Sequence, residues 1–159
     1  MSPIGVRNQR GKAMIRIVIL LGVMVGSCAA QQLERDFFFK QPPENRLERI
    51  RHYSLQDQYK IFRYGNDKIE PPAMELAGPI AEKGAAAVPF LMDQLKSSTD
   101  LLTVRDILLI LKTMSRSKTY DVKGDTALVA LLEAKISKIK DKEWQAFCQE
   151  GLQQIKDSK

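Results

Sequence analysis

One stretch, Gly84 to Met114, reading GAAAVPFLMDQLKSSTDLLTVRDILLILKTM, constrains most strongly what this chain can fold into. Val88, Leu91, Met92 and Leu95 recur at i, i+3, i+4 and i+7, one stripe of a 3.6-residue helix, with Asp93, Gln94 and Lys96 facing away. Pro89 falls in the first turn, where its missing N–H costs nothing. The spacing predicts a helix from near Ala86 to the turn formers Ser97, Ser98 and Thr99. In the next helix Leu101, Val104, Ile107, Leu108, Leu111 and Met114 make the inner stripe, and Leu102, Leu109 and Ile110 carry the apolar surface beyond one face. A helix apolar on more than one side is covered on more than one side, so this pair requires neighbours.

The flanking sequence offers them. Pro43 to Tyr53 reads as a short, highly charged surface helix carrying Leu47 and Ile50. Ser54 and Asp57 outline a helix N-terminus, and the helix they open carries Leu55, Tyr59, Ile61 and Phe62 and ends at Tyr64-Gly65-Asn66. Pro71 and Pro72 open another, with Met74, Leu76, Ala77, Ile80 and Ala81 on its stripe and Gly84 at its close; Pro79 inside it predicts a kink or break at Gly78. Beyond Met114, Ser115 to Gly124 read as a long polar turn. Asp125 or Thr126 then caps a helix with Leu128, Leu131, Leu132, Ile136 and Ile139, and a last helix after Asp141 places Trp144, Phe147, Cys148, Gly151, Leu152 and Ile155 on one face. Few glycines and prolines in 159 residues, 44% of them hydrophobic, suit one mainly helical folded domain.

Shifting the opening pair by forty residues lays Val88, Leu91 and Met92 on Leu128, Leu131 and Leu132, and Val104, Ile107 and Leu108 on Trp144, Phe147 and Cys148. A period of about forty residues built from two helices is that of HEAT and armadillo arrays. Gly84-Ala85-Ala86-Ala87-Val88-Pro89-Phe90-Leu91, with Leu95 and then Val104-Arg105, resembles the HEAT-type repeat signature. The resemblance is good over residues 73–115, moderate over 125–157 and weak over 54–72. It implies an all-α fold, a short α-solenoid of HEAT-like antiparallel helix pairs, in which the apolar residues of the central pair are core. Lys135 stands in the place of Leu95 and Gly151 in that of Leu111, so the last repeat reads as a capping one with a more exposed face. Many proteins of that fold bind other proteins along the concave surface, although fold alone does not give function.

Residues 1–30 have the layout of a secretory signal: a basic start, an uncharged stretch from Ile17 to Val25, and the small residues Gly26 to Ala30. Nine apolar residues rise only about 14 Å, against a hydrocarbon core of about 30 Å. Val25-Gly26-Ser27-Cys28 resembles the lipobox of bacterial lipoproteins, with Val25 and Gly26 where leucine and alanine or serine are commoner. The resemblance implies cleavage before Cys28 and lipidation of Cys28. Ala29 after the cysteine resembles the pattern of lipoproteins sent to the outer membrane, facing the periplasm in a Gram-negative envelope. Ordinary cleavage after Ala30 and an uncleaved anchor are the alternatives. The chain thus divides into a signal peptide (1–27), a lipidated N-terminus and tether (28–45) and a HEAT-like helical repeat domain (46–159). On the tether, Phe37, Phe38 and Phe39 are candidates for contact with the membrane or a partner, or else cap an open apolar end of the helical stack.

Charge points to no polyanion. Four of the 25 basic residues, Arg7, Arg10, Lys12 and Arg16, precede Cys28, leaving 21 against 19 acidic ones, so the +6 of the whole chain falls to +2 and no nucleic-acid footprint is supported. Lys135, Lys138, Lys140 and Lys142 crowd a helix end, where cations favour terminal carbonyls. The only histidine, His52, reads as solvated, and Cys148 as a small buried hydrophobe. Neither a catalytic constellation, a structural zinc set, a nucleotide fingerprint nor a small-molecule substrate is evident, and no cofactor is expected. The reading is a lipid-anchored, exported, non-catalytic module that binds or scaffolds an unidentified protein. A small envelope enzyme or enzyme subunit using Asp, Glu or Lys, and a soluble secreted effector cleaved after Ala30, are the alternatives.

Overall fold

The computed structural model describes residues 32–40 and 42–158, and the expected signal segment and Cys28 lie outside them. Every regular element among the described residues is helical, so the fold is all-α. None of these helices is long and apolar enough to cross a membrane. The chain divides by its contacts into two units, Met1–Gln41 and Pro42–Lys159.

In the first unit a helix over residues 32–39 (α1) carries the phenylalanine run. Consecutive residues point about 100° apart on a helix, and the three rings separate accordingly. Phe37 and Phe38 are buried and stand edge to face with centroids 5.2 Å apart, whereas Phe39 is 68% exposed.

The second unit begins with a 3₁₀ turn, Pro43–Asn45, and runs through α2 (Arg46–Ile50), α3 (Leu55–Lys68), α4 (Ala77–Ala81), α5 (Val88–Ser97), α6 (Leu101–Ser117), α7 (Thr126–Ile136) and α8 (Lys142–Lys156). Side chains at four helix N-termini satisfy backbone donors that have no partner within the helix. Ser54 accepts from Asp57 N–H, Asp100 from Leu102 and Thr103, Asp125 from Leu128, and Asp141 from Glu143 and Trp144. Of the stripe read on the first helix of the pair, Val88, Leu91 and Leu95 are buried and Met92 is half-buried. On α6 the covered surface goes round more than one face: Val104, Ile107, Leu108, Ile110, Leu111 and Met114 are all buried. The neighbours demanded by that surface are α4 and α8, which make its most extensive contacts, together with α5 and α7.

Several boundaries differ from the sequence reading. Helix α3 does not stop at Tyr64-Gly65-Asn66 but runs to Lys68, with Gly65 and Asn66 buried, because the returning chain uses both: Ala73 N–H donates to Gly65 C=O at 3.0 Å and Asn66 bonds across to α6. The helix expected after Pro72 begins instead as a 3₁₀ turn, Met74–Leu76, and becomes α-helical only at Ala77. Pro79 thereby falls in the first turn of α4, where its absent N–H is not missed, so the break is spent on a late start instead of a kink. Gly84 closes this segment with φ +53°, and a Cβ there would stand 2.5 Å from Thr119 C=O, so only glycine fits. Helix α6 runs a turn beyond Met114 and ends on Lys118 in the left-handed conformation, φ 57°. Val122, inside the expected polar turn, is buried.

Lys135, at the position held by Leu95 forty residues earlier, donates to the carbonyls of Lys96 at 3.1 Å and Ser98 at 2.6 Å. It serves the C-terminus of α5 with a cation, as the helix dipole favours.

Candidate functional site

Hydrophobic collapse leaves few large apolar side chains in water, and where they converge they mark a surface with a use. Among the described residues the exposed ones are Phe39, Leu47, Met74, Trp144 and Phe147. Three of these five, Met74, Trp144 and Phe147, line a single groove of about 580 Å³, inside the ~300–1,000 Å³ range of ligand pockets.

Each wall follows from the local sequence. The floor is the outward stripe of α6: Arg105, Leu108, Leu109 and Lys112. One wall is α8, with Glu143, Trp144, Phe147 and Gly151. Phe147 is 57% and Trp144 37% exposed, their rings edge to face with centroids 5.6 Å apart. The opposite wall is the end of α3 at Asn66 and the turn through Pro72 and Met74. That wall is a turn because the prolines delay α4 until Ala77; α4 has five residues, about 7.5 Å of helix, beside the 17 residues and about 25 Å of α6. The groove lies where α6 outruns its cover.

Gly151 lets α8 approach α6 closely, since a Cβ there would lie 2.8 Å from Leu108 Cδ2. It also adds no side chain to the groove. Ser158 bonds Ser115 at 2.6 Å further along, so α8 runs in the same direction as α6. Glu143 therefore sits toward the Arg105 end of the groove, and Gly151 midway along its floor against Leu108.

Beneath the Arg105 end is a buried carboxylate. Asp106, 1% exposed, accepts on Oδ1 from Asn66 Nδ2 at 2.6 Å and from Arg105 Nε and Nη2 at 2.9 and 2.8 Å. Its Oδ2 accepts no hydrogen bond; Arg63 Nε stands 3.5 Å away, while Arg63 Nη2 is 2.7 Å from Asp100 Oδ2. Burial pushes the Asp106 carboxyl above its ordinary value, outweighing the neighbouring Arg105, Asn66 and Arg63. The cluster continues to Tyr59, whose phenol burial also pushes up and whose ring lies 5.9 Å from the Arg63 guanidinium and edge-on to Phe90 at 5.4 Å. Its chemical effect is positional: it holds Asn66 and Arg105, both groove-lining, against α6.

The sequence had singled out other residues. Cys28 lies outside the described residues. Phe37 and Phe38 are buried, so only Phe39 of that run presents its ring to solvent. His52 is exposed, 3.9 Å from Glu48, and Cys148 is a buried free thiol whose ionisation burial disfavours. Among the described residues no group of three or more His, Cys, Asp or Glu could hold a metal ion. The six-residue face expected on the last helix splits: Cys148, Leu152 and Ile155 are buried, but Trp144 and Phe147 are not. The aromatic wall and Asp106 were both missed. One signal for Asp106 was present: it is the only carboxylate in the stretch that forms α6, next to Arg105 and followed by the apolar run Ile107 to Leu111.

Compared with models of known protein families, with curated proteins and with solved structures, the chain matches none.

Proposed function

We propose that this chain is an exported, lipid-anchored, non-catalytic protein-binding module: a HEAT-like array held to a membrane through Cys28 and engaging a protein partner in the groove over α6. The observation that carries the binding half is the convergence of Met74, Trp144 and Phe147, three exposed large apolar side chains, on one groove with polar ends. The anchoring half rests on the sequence alone, through the likeness of Val25-Gly26-Ser27-Cys28 to a lipobox.

The repeat reading has independent support in the spacing of the hydrogen bonds between helices. Asn66 to Asp106 spans 40 residues, Lys135 to the carbonyls of Lys96 and Ser98 spans 39 and 37, Thr119 to Ala81 spans 38 and Arg63 to Asp100 spans 37. In a stack of forty-residue units, residues one repeat apart are neighbours, and bonds collect near that separation. Ser115 to Ser158 at 43 and Lys123 to Ser158 at 35 flank that separation, and Arg51 to Glu82 at 31, Lys156 to Glu133 at 23 and Gln145 to Ile136 at 9 fall outside it.

A photo-crosslinking residue at position 147 of the membrane-bound full chain should give a discrete protein adduct that the same residue at Ala134, exposed on α7, does not. The captured protein, once purified, should bind about tenfold or more weakly to Phe147→Ala, as expected for an aromatic hot spot. Identical adducts from both positions, or unchanged affinity, would sink the binding reading. Retention of Cys28→Ser in the membrane fraction would sink the anchoring one.

A further inference from the structure

Resting on the groove as a protein-binding site, we propose the chemistry of its occupant: an amphipathic helix about two turns long at the contact, apolar toward α6 and acidic at the Lys112 end. The groove opens to solvent, with Met74 (56%) and Phe147 (57%) of its lining exposed. It buries one side of a guest and leaves the other in water. An amphipathic helix presents just such a two-sided surface, with anchors at i, i+3 or i+4 and i+7; an acyl chain laid there would keep methylenes wet along its outer side. Arg105 and Lys112, seven residues apart on α6, mark a floor of about 10 Å, which is also the rise from i to i+7 of a docked helix.

Charge sets the guest's polarity. At one end Arg105 is already neutralised by Asp106 and has Glu143 across the groove. At the other, Lys112 makes no ion pair among the described residues, and Arg116 stands one turn further along α6, lining with Lys112 an adjoining hollow of about 230 Å³ whose other described lining residues, Ser115, Gln154, Ile155 and Ser158, carry no side-chain carboxylate. A carboxylate arriving here meets two cations, partly desolvated by the guest itself, whereas an ammonium would meet their repulsion.

Trp144 is the only tryptophan in the chain and forms part of the wall, so its emission reads occupancy directly. The full chain in phosphatidylcholine vesicles is titrated with a tryptophan-free amphipathic peptide of about four helical turns, leucines at i, i+3 and i+7 and glutamates at one end, and with its twin carrying lysines there. The expected result is a blue shift with the acidic peptide at an affinity at least about tenfold above the basic one, and a Lys112→Glu, Arg116→Glu variant that reverses the order. Equal affinities, or an order that the double variant leaves unchanged, overturn the acidic end while the groove stands. No response to either peptide overturns the helix as occupant, while the groove reading stands or falls by the position-147 adduct. Quenching of Trp144 by vesicles with bromine-labelled acyl chains, undiminished by peptide, shows a lipid in the groove and overturns the proposal in favour of that occupant.

Discussion

Helices α6 and α8 carry matching residues forty positions apart, yet they put them to different use. Val104, Ile107 and Leu108 are buried, whereas of their counterparts Trp144, Phe147 and Cys148 only the cysteine is. The sequence spacing is the same. What differs is cover: α6 is met by α4, α5, α7 and α8, and α8 makes its main contacts with α6 and α7. The aromatic pair on α8 lines the groove over α6 together with Met74, from the turn that precedes the five-residue α4. Periodicity decides which residues share a face, and the neighbours decide whether that face is core or surface.

The sharpest break of this comparison is at matched positions one turn further on, Leu111 and Gly151. Leu111 is fully buried, and Leu111→Ala should cost about 2–5 kcal/mol, the transfer term plus an unfilled cavity, measured by urea unfolding of the full chain. A cost below about 1 kcal/mol would mean that α6 is not the covered centre of the helical unit.

Much of this was legible beforehand, for reasons that particular residues make plain. Short-range signals were readable: the caps at Ser54 and at Asp125 or Thr126, the helix start after Asp141, the first-turn Pro89, the closing Gly84 and the stripes of α5 and α6 each depend on residues within a few positions. Long-range pairings were not. Asn66 looks like a helix terminator until Asp106, 40 residues away, is beside it, and Lys135 looks like a lost core leucine until the carbonyls of Lys96 and Ser98 are within reach. The groove was least legible of all, because it depends on a helix that starts five residues after Pro72 and on a glycine whose use is to bring two helices together.

A middle-sized effect tests the buried tie on which the groove's polar end depends. Asp106→Ala should cost about 3 kcal/mol, the low end for removing one partner of a buried pair, because Arg63 and Arg105 retain some contact with solvent. The conservative change is more informative as a function of pH. The folded Asp106 carboxyl has a raised pKa, so the folded state binds a proton more readily than the unfolded chain. The unfavourable effect of ionising it disappears as pH falls through that raised value toward 3.8, its ordinary one. The wild type should therefore gain stability relative to Asp106→Asn on acidification across that window. Asp57 and Asp125, whose pKa values are lowered by hydrogen bonds from Ser54 and from Leu128 and Tyr120, lose stability on acidification, but they are present in both proteins and cancel in the difference. A wild-type stability that falls or stays flat relative to Asp106→Asn as pH falls would remove burial as the dominant influence on Asp106.

The smallest expected effect on stability carries the most about function. Phe147 occupies in the forty-residue register the position of the fully buried Ile107, and from the pattern alone its truncation would be a core deletion costing several kcal/mol. In the folded chain Phe147 is more than half exposed, and its ring stands edge to face with Trp144, itself more than one-third exposed. Removing it opens no enclosed cavity, so Phe147→Ala should unfold within about 0.5 kcal/mol of the wild type, as surface substitutions do. A small residual loss is expected from the edge-to-face pair with Trp144, and a matching change in Trp144 emission should accompany it. A cost above about 2 kcal/mol would place Phe147 in the core, remove the contrast between α6 and α8, and leave the groove without its wall. A near-neutral result would leave a large aromatic side chain that contributes little to folding and has water as its main alternative to a partner.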